Sequence, residues 1–303
     1  MIFRDQFKEF IEKNKISQNK AAEANGYTGS VISQYLSGNY KGDVEKVEAT
    51  LMAWIESEKN RRARRAVPIA ETENMRRILN VIQIAHEERD IAVITGPAGV
   101  GKTTALRKYV AESESHSILI EVDDSMNKVT IIQELADRLG MDRKGSNTEL
   151  VRRVCAALAA RDVTVIADEA DYLNDGALEL LRRVVNDKGR SGLVLVGLQR
   201  LAFRIRNLKN DHQQLASRVG LCLEVGTLTN ADAERIVRGV WEEIDADTVK
   251  TFVKTADGSA RALGKLIDRA HRTAVANGLP HPDGEAVRIA GSMIMKYESG
   301  RSA

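Results

Sequence analysis

The sequence is poor in cysteine and aromatic residues, and it has no long apolar run. Its 303 residues include 2 cysteines and 4% aromatic residues, so the cores must be mostly aliphatic. Cys155 and Cys222 lie in apolar contexts that favour buried thiols in a reducing compartment over a disulfide or a metal site. No run approaches the length of a membrane span, and the N-terminus has no apolar signal region. We therefore expect a cytoplasmic protein without membrane contact.

The remaining composition is that of a globular chain with several domains. Hydrophobic residues make up 43% and charged residues 29%, with a net charge of +2. Strand-like runs alternate with helical patterns only in the middle of the chain, which predicts an α/β fold with a five-stranded parallel sheet and helices on both faces. The predicted regions are a helical domain (1–57), a basic linker (58–75), the α/β core (76–228) and a helical C-terminal domain (229–303). The predicted strands are 91–95, 117–122, 163–168, 192–197 and 219–225.

The most informative motif is Gly-Pro-Ala-Gly-Val-Gly-Lys-Thr at residues 96–103, which matches the phosphate-loop pattern G-x-x-x-x-G-K-[ST]. It follows a predicted strand and precedes a predicted helix, as a phosphate site requires. Backbone N–H groups and Lys102 are expected to contact phosphate oxygens, and the Thr103 hydroxyl is expected to ligate Mg²⁺. The residues predicted to contact the nucleotide are Gly96, Pro97, Ala98, Gly99, Val100, Gly101, Lys102, Thr103 and Thr104.

Two carboxylates, Asp168 and Glu169, follow the third predicted strand at the edge where ligands bind in such sheets. Asp168 is predicted to hold Mg²⁺, and Glu169 to orient and deprotonate the attacking water. The alternative is that two acids merely end a strand at the solvent. Asp171 is interpreted as a helix cap.

The N-terminal region has the spacing of a helix-turn-helix. Gly26 suits the tight turn, Ile32 and Leu36 fall on one face of the second helix, and Ser17 and Thr28 are predicted caps. The exposed positions expected to contact DNA are Ser30, Ser33 and Gln34. No arginine or lysine lies on that helix, so weak sequence specificity is expected. A small protein-docking domain is the alternative.

Two clusters of basic residues extend the hypothesis of DNA binding. The linker carries Arg61, Arg62, Arg64 and Arg65, which suit contacts with phosphates that are independent of base sequence. Arg200 and Arg204 follow the fourth strand, in a predicted loop that is a candidate to line a central channel. A solvated run of charges is the alternative for the linker.

The phosphate loop, the Asp-Glu pair, the five strands and the trailing helices together resemble the AAA+ ATPases. That resemblance implies an arginine finger at Ser217-Arg218, acting in trans on a neighbouring subunit, and a sensor arginine at Arg261 in Gly258-Ser-Ala-Arg261. It also implies a polar sensor after the fourth strand, where this chain has Leu198 and Gln199.

The order of regions resembles the transposition protein B family of phage Mu, in which a helix-turn-helix, a linker, an AAA+ module and a helical domain follow one another. Ile166-Ala-Asp-Glu-Ala-Asp171 and Ser217-Arg218 are among the stretches that agree. The resemblance implies an ATP- and Mg²⁺-dependent ATPase that assembles on double-stranded DNA as a homo-oligomeric filament in a bacterial host cell. It also implies delivery of that DNA to a transposase. Two other functions are kept as alternatives: a nucleotide-switched transcription regulator and a secretion-associated ATPase.

Overall fold

A computed structural model describes residues 3–14, 16–62, 69–113, 116–207 and 213–294, without the side chains of 59–62 and 213. The chain forms two compact units, Met1–Ala66 and Val67–Ala303. No helix in the described part of the chain is long and apolar enough to cross a membrane.

The first unit is helical. Its elements are α1 (Phe3–Lys13), α2 (Gln18–Ala24), α3 (Gly29–Ser37) and α4 (Val44–Arg62). Gly26 adopts a φ of 71° in the turn between α2 and α3, and Ser17 caps α2 by accepting a hydrogen bond from the Lys20 N–H. Thr28 stands at the N-cap of α3 but makes no capping bond with its side chain. Ile32 is fully buried as predicted, whereas Leu36 is half-buried and packs against the cluster that contains the fully buried Tyr35.

The predicted linker, 58–75, overlaps a helix at each end. Helix α4 continues to Arg62, and the first helix of the second unit, α5, begins at Glu73 behind the capping residue Thr72. Helix α4 therefore extends into the basic run that the sequence analysis assigned to the linker.

The second unit contains the predicted parallel sheet. Its strands are β1 (Ile91–Thr95), β2 (Ser117–Glu121), β3 (Thr164–Asp168), β4 (Gly192–Gly197) and β5 (Val219–Glu224). They pair in parallel in the order β2-β3-β4-β1-β5. The three inner strands are buried along their whole length, which explains their continuous apolar sequences, while β2 and β5 are partly exposed edges.

Helices cover both faces of this sheet, so the predicted fold class is confirmed. Alternate residues of β1 point to different cores: Ile91 and Val93 join one apolar cluster, whereas Ala92 and Ile94 join another. The helices are α5 (Glu73–Glu88), α6 (Lys102–Glu112), α7 (Lys128–Arg138), α8 (Asn147–Ala159), α9 (Asp175–Leu181), α10 (Gln199–Arg206), α11 (Gln213–Arg218), α12 (Asn230–Val240), α13 (Ala246–Ala256), α14 (Ala260–Ala276) and α15 (Gly284–Ser292). A 3₁₀ turn spans Ala170–Tyr172, and a π-helical segment, Arg182–Lys188, continues α9.

The last four helices have their own apolar core, in which Trp241 stacks on Phe252 with ring centroids 5.8 Å apart.

The two cysteines differ in burial. Cys155 is buried, as expected, but Cys222 is exposed. The prediction for Cys222 was wrong because β5 is an edge strand, and an apolar sequence alone does not reveal which strand lies at the edge.

Candidate active site

The phosphate loop connects β1 to α6 at the carboxyl edge of the sheet. Gly99 and Gly101 have φ values of 78° and 100°, a region in which a side chain is strained. A Cβ on Gly99 would also lie 3.0 Å from the Ser259 hydroxyl and 3.1 Å from the Arg261 Cβ. Glycine is thus required at both positions by the loop conformation. At Gly99 it is also required because the start of α14 approaches closely.

Lys102, the first residue of α6, folds back over the loop. Its ammonium donates to the carbonyl oxygens of Gly96 and Pro97, both at 2.8 Å. Burial lowers the pKa of Lys102 below its ordinary value, and the nearby Asp168 carboxylate opposes that shift. A cation held at the loop in this way is suited to bind phosphate oxygens.

Thr103 and Asp168 supply adjacent oxygen ligands. The Thr103 hydroxyl donates to Asp168 Oδ2 at 2.7 Å, and the Glu169 N–H donates to the other carboxylate oxygen at 2.9 Å. Asp168 is the last residue of β3 and is 3% exposed. A hydroxyl beside a carboxylate is a hard oxygen donor set, so the residues fit Mg²⁺.

Glu169 departs from ordinary backbone geometry. It lies just after β3 with φ 55° and ψ 31°, in the left-handed region, and it is exposed. Such a conformation is costly for a residue with a side chain. The turn directs the chain out of the sheet so that Glu169, unlike Asp168, faces solvent at the cavity.

A cavity of about 430 Å³ joins these groups. This volume is in the range of small-ligand sites. Its lining includes most of the loop and both carboxylates, together with residues of the turn after β3, at the end of β4 and at the start of α14: Ala98, Gly99, Gly101, Lys102, Thr103, Thr104, Asp168, Glu169, Asp171, Tyr172, Gly197, Leu198, Ala260 and Arg261.

The C-terminal helices contact the phosphate loop directly. The Arg261 N–H donates to the Gly99 carbonyl at 3.0 Å, and Ser259 caps α14 by accepting from the Ala262 N–H at 3.2 Å. Arg261 also lines the cavity. The predicted sensor arginine therefore lies beside the loop that it was expected to assist.

Asp171 has a different role from the predicted one. Its carboxylate is buried and accepts from the Leu198 N–H at 3.1 Å and from Arg200 Nε at 2.7 Å. The residue that caps the following helix α9 is Asn174, which accepts from the Ala177 N–H. Asp171 thus joins the end of β3 to the segment after β4.

The same contacts change the interpretation of Arg200 and Arg204. Both lie on helix α10 rather than in a loop. Arg200 pairs with Asp171, and its guanidinium carbon lies 5.7 Å from the Tyr172 ring centroid, while Arg204 donates to the Asp171 carbonyl at 3.0 Å. These contacts join α10 to the turn after β3, and the Arg200 side chain remains 59% exposed, so a role of this helix in lining a channel of an oligomer stays a prediction.

At the expected polar sensor position, Leu198 lines the cavity, but Gln199 does not. Gln199 donates instead to Glu224 at 2.6 Å, on β5. Sequence reasoning missed Tyr172 and the Asp171 network, because the contacts between Asp171 and Arg200 join residues that lie on different elements.

Arg218 ends α11 just before β5, and its side chain is exposed. It does not line the cavity of its own chain. The structure does not bring the predicted finger to the phosphate loop within one subunit.

The other predicted DNA contacts, in the first unit, divide into two groups. Ser30, Ser33 and Gln34 are exposed on α3. The side chains of Arg61 and Arg62, and the whole of Arg64 and Arg65, lie outside the described residues.

Comparison with known proteins gives consistent matches. A family model described as an AAA domain matches residues 85–205. The Mu-like prophage FluMu DNA transposition protein B of Haemophilus influenzae is 29% identical over 275 residues, covering 87% of this chain and 94% of that protein. The ATP-dependent target DNA activator B of Escherichia phage Mu is 27% identical over 284 residues, covering 91% and 89% respectively.

Solved structures support the fold. The ORC2 protein of Aeropyrum pernix has a TM-score of 0.59 at 16% identity, covering 77% of this chain and 70% of that chain. The RuvB Holliday junction branch migration motor of Thermotoga maritima has a TM-score of 0.52 at 19% identity, covering 76% and 72%. At these identities the likeness concerns the fold, which is that of AAA+ proteins.

Proposed function

We propose that this chain, an AAA ATPase homologous to the phage Mu transposition B proteins, assembles on double-stranded DNA when ATP is bound and delivers that DNA to a transposase. The observation that carries the proposal is the position of Arg218. It is exposed and does not line the cavity of its own chain, while every other predicted nucleotide group lines that cavity or forms part of the phosphate loop.

Within one subunit, the chain's residues bind ATP and prepare its hydrolysis. The phosphate loop and Lys102 hold the phosphate oxygens, and Arg261 adds a positive charge from α14. Thr103 and Asp168 would hold Mg²⁺, which when bound neutralises phosphate charge. Glu169 accepts a proton from the water that attacks the γ-phosphorus, and the bond from that phosphorus to the bridging oxygen of ADP breaks.

The neighbouring subunit completes the site. Arg218 of that subunit contacts the γ-phosphate, so the contact exists only in the assembled state. ATP therefore favours assembly by its differential interaction with that state, and hydrolysis removes the interaction. The nucleotide in this way sets the lifetime of the assembly on DNA.

DNA binding is assigned to the first unit, including the basic run near its end. Exposed Ser30, Ser33 and Gln34 suit contacts to the backbone or bases from α3, and the arginines at 61, 62, 64 and 65 suit phosphates. Because α3 carries no basic residue, we expect little preference for base sequence. The names of the relatives, a transposition protein and a target DNA activator, support this assignment.

Electron microscopy and footprinting with a long DNA of arbitrary sequence test the proposal. With a slowly hydrolysed ATP analogue we expect continuous protection along the DNA and a regular oligomer in images, and neither with ADP. A discrete protected site that is independent of nucleotide would instead indicate a transcription regulator and would refute the proposal.

A further inference from the structure

A second cluster of ligand-type side chains lies at the amino-terminal edge of the sheet, opposite the nucleotide cavity. His86 is near the end of α5, His116 directly precedes β2, and Asp162 precedes β3. One ligand atom from each of these residues lies within 4.8 Å of the others. Three segments that are far apart in the sequence therefore converge on one point.

The orientation of the His86 ring is fixed by a hydrogen bond at the ring nitrogen that faces away from Asp162. Its Nδ1 lies 2.8 Å from the hydroxyl of Thr164, which is fully buried at the start of β3. With Nδ1 donating to that hydroxyl, Nε2 carries the lone pair and faces Asp162. A hydrogen bond to the second imidazole nitrogen is the usual support of a metal-binding histidine, because it selects the tautomer and holds the ring.

The distance between His86 and Asp162 suits two ligands of one metal better than a direct contact. His86 Nε2 and Asp162 Oδ2 are 3.6 Å apart, beyond the usual length of a hydrogen bond. Tetrahedral ligands at about 2.0–2.1 Å from zinc are separated from each other by about 3.3–3.4 Å. A metal between the two atoms therefore requires almost no movement of either.

His116 is held next to this pair. The Thr164 N–H donates to the His116 carbonyl at 2.9 Å, and the two imidazole rings are stacked with centroids 6.1 Å apart. His116 is exposed, so its ring is accessible to an ion from solvent.

We propose that His86, His116 and Asp162 bind a divalent transition-metal ion of the zinc class, with water completing a tetrahedral site. Two imidazoles and one carboxylate favour such an ion over Mg²⁺, which prefers oxygen ligands alone. The ion would join the end of α5 to the starts of β2 and β3. It lies away from the nucleotide cavity, so its role is to stabilise the sheet edge and it takes no part in hydrolysis.

Titration of the metal-free full chain with Co²⁺, followed by displacement with Zn²⁺, tests the site. We expect the visible absorption of tetrahedral Co²⁺ to saturate at one equivalent and to disappear when Zn²⁺ is added. His116→Ala and Asp162→Asn should abolish the absorption. Thr164→Val should weaken metal binding by about 10–100-fold, the usual cost of losing a group that orients a metal ligand by a hydrogen bond. His281→Ala is the matched control and should bind like the wild type.

ATP hydrolysis and circular dichroism of each variant separate loss of metal from loss of fold, and both should remain at wild-type values in His116→Ala and Asp162→Asn. The proposal is overturned if Co²⁺ gives no tetrahedral spectrum with the wild type. It is equally overturned if His116→Ala and Asp162→Asn, correctly folded, keep wild-type affinity.

Discussion

We expect Arg182→Met to lower the free energy of unfolding of the second unit by about 3–5 kcal/mol, the usual cost of removing one partner of a buried ion pair. Arg182 begins the π-helical segment, and its side chain is 3% exposed. Its guanidinium donates to Glu179 at 2.6 and 3.0 Å, to Asp187 at 2.5 Å and to Gln214 at 3.1 Å. The hydrogen bond to Glu179 raises the pKa of Arg182 above its ordinary value, so the group stays charged.

The magnitude depends on the group that is left behind. Glu179 has a side chain that is 11% exposed, whereas that of Asp187 is 29% exposed, so the uncompensated charge of Glu179 dominates the cost. Methionine fills most of the volume of the arginine stem, which keeps the cavity term small. Replacing both partners by apolar residues is often close to neutral. Arg182→Met combined with Glu179→Leu should therefore recover most of the loss.

Urea unfolding followed by circular dichroism measures the difference in free energy of unfolding between wild type and variant. The comparison requires that this free energy falls with urea concentration at the same slope in both proteins. The matched control is Arg238→Met, which breaks an ion pair with Glu234 whose side chains are 41% and 49% exposed. That change should cost less than about 1 kcal/mol. A loss below about 1 kcal/mol for Arg182→Met, or no recovery in the double variant, would refute the reasoning.

Three further predictions concern the nucleotide. Lys102→Ala should abolish the ATP-dependent increase in DNA affinity measured by fluorescence anisotropy, while Lys108→Ala on the same helix should retain it; an ATP response in Lys102→Ala contradicts the phosphate role. Glu169→Gln should keep ATP-dependent assembly on DNA and lower phosphate release by at least about 100-fold, so normal release would disprove the assigned proton transfer. Arg218→Ala should lose about 1,000-fold or more in hydrolysis with nucleotide affinity largely intact, and a variant that loses only affinity would indicate a structural arginine.

Much of the second unit could be predicted from local sequence. The predicted strands 91–95 and 192–197 coincide with β1 and β4 because each is a continuous apolar run that ends at glycine or a polar residue. The end of β3 could also be predicted, because Asp168 terminates an apolar run that is buried on both faces of the sheet. The resemblance to the phage Mu B family is confirmed by relatives that match along most of the chain. It could be recognised from sequence because it depended on the order of regions along nearly the whole chain.

Features set by distant neighbours could not be predicted. Asp171 looked like a local cap because its partners, Leu198 and Arg200, lie on a different element. Cys222 looked buried because the order of strands is not written in the composition of β5. The burial of Arg182 could not be predicted either, since its side chain lies between elements and donates a hydrogen bond to Gln214 on α11.

The shared active site is tested most directly by mixing Glu169→Gln and Arg218→Ala subunits, each inactive alone. In a head-to-tail assembly, the Arg218→Ala subunit supplies an intact nucleotide site and the Glu169→Gln subunit supplies the arginine. About one quarter of the interfaces in an equal mixture then contain both, so hydrolysis on DNA should recover to roughly a quarter of the wild-type rate. A mixture as inactive as its two components would contradict an active site built between subunits.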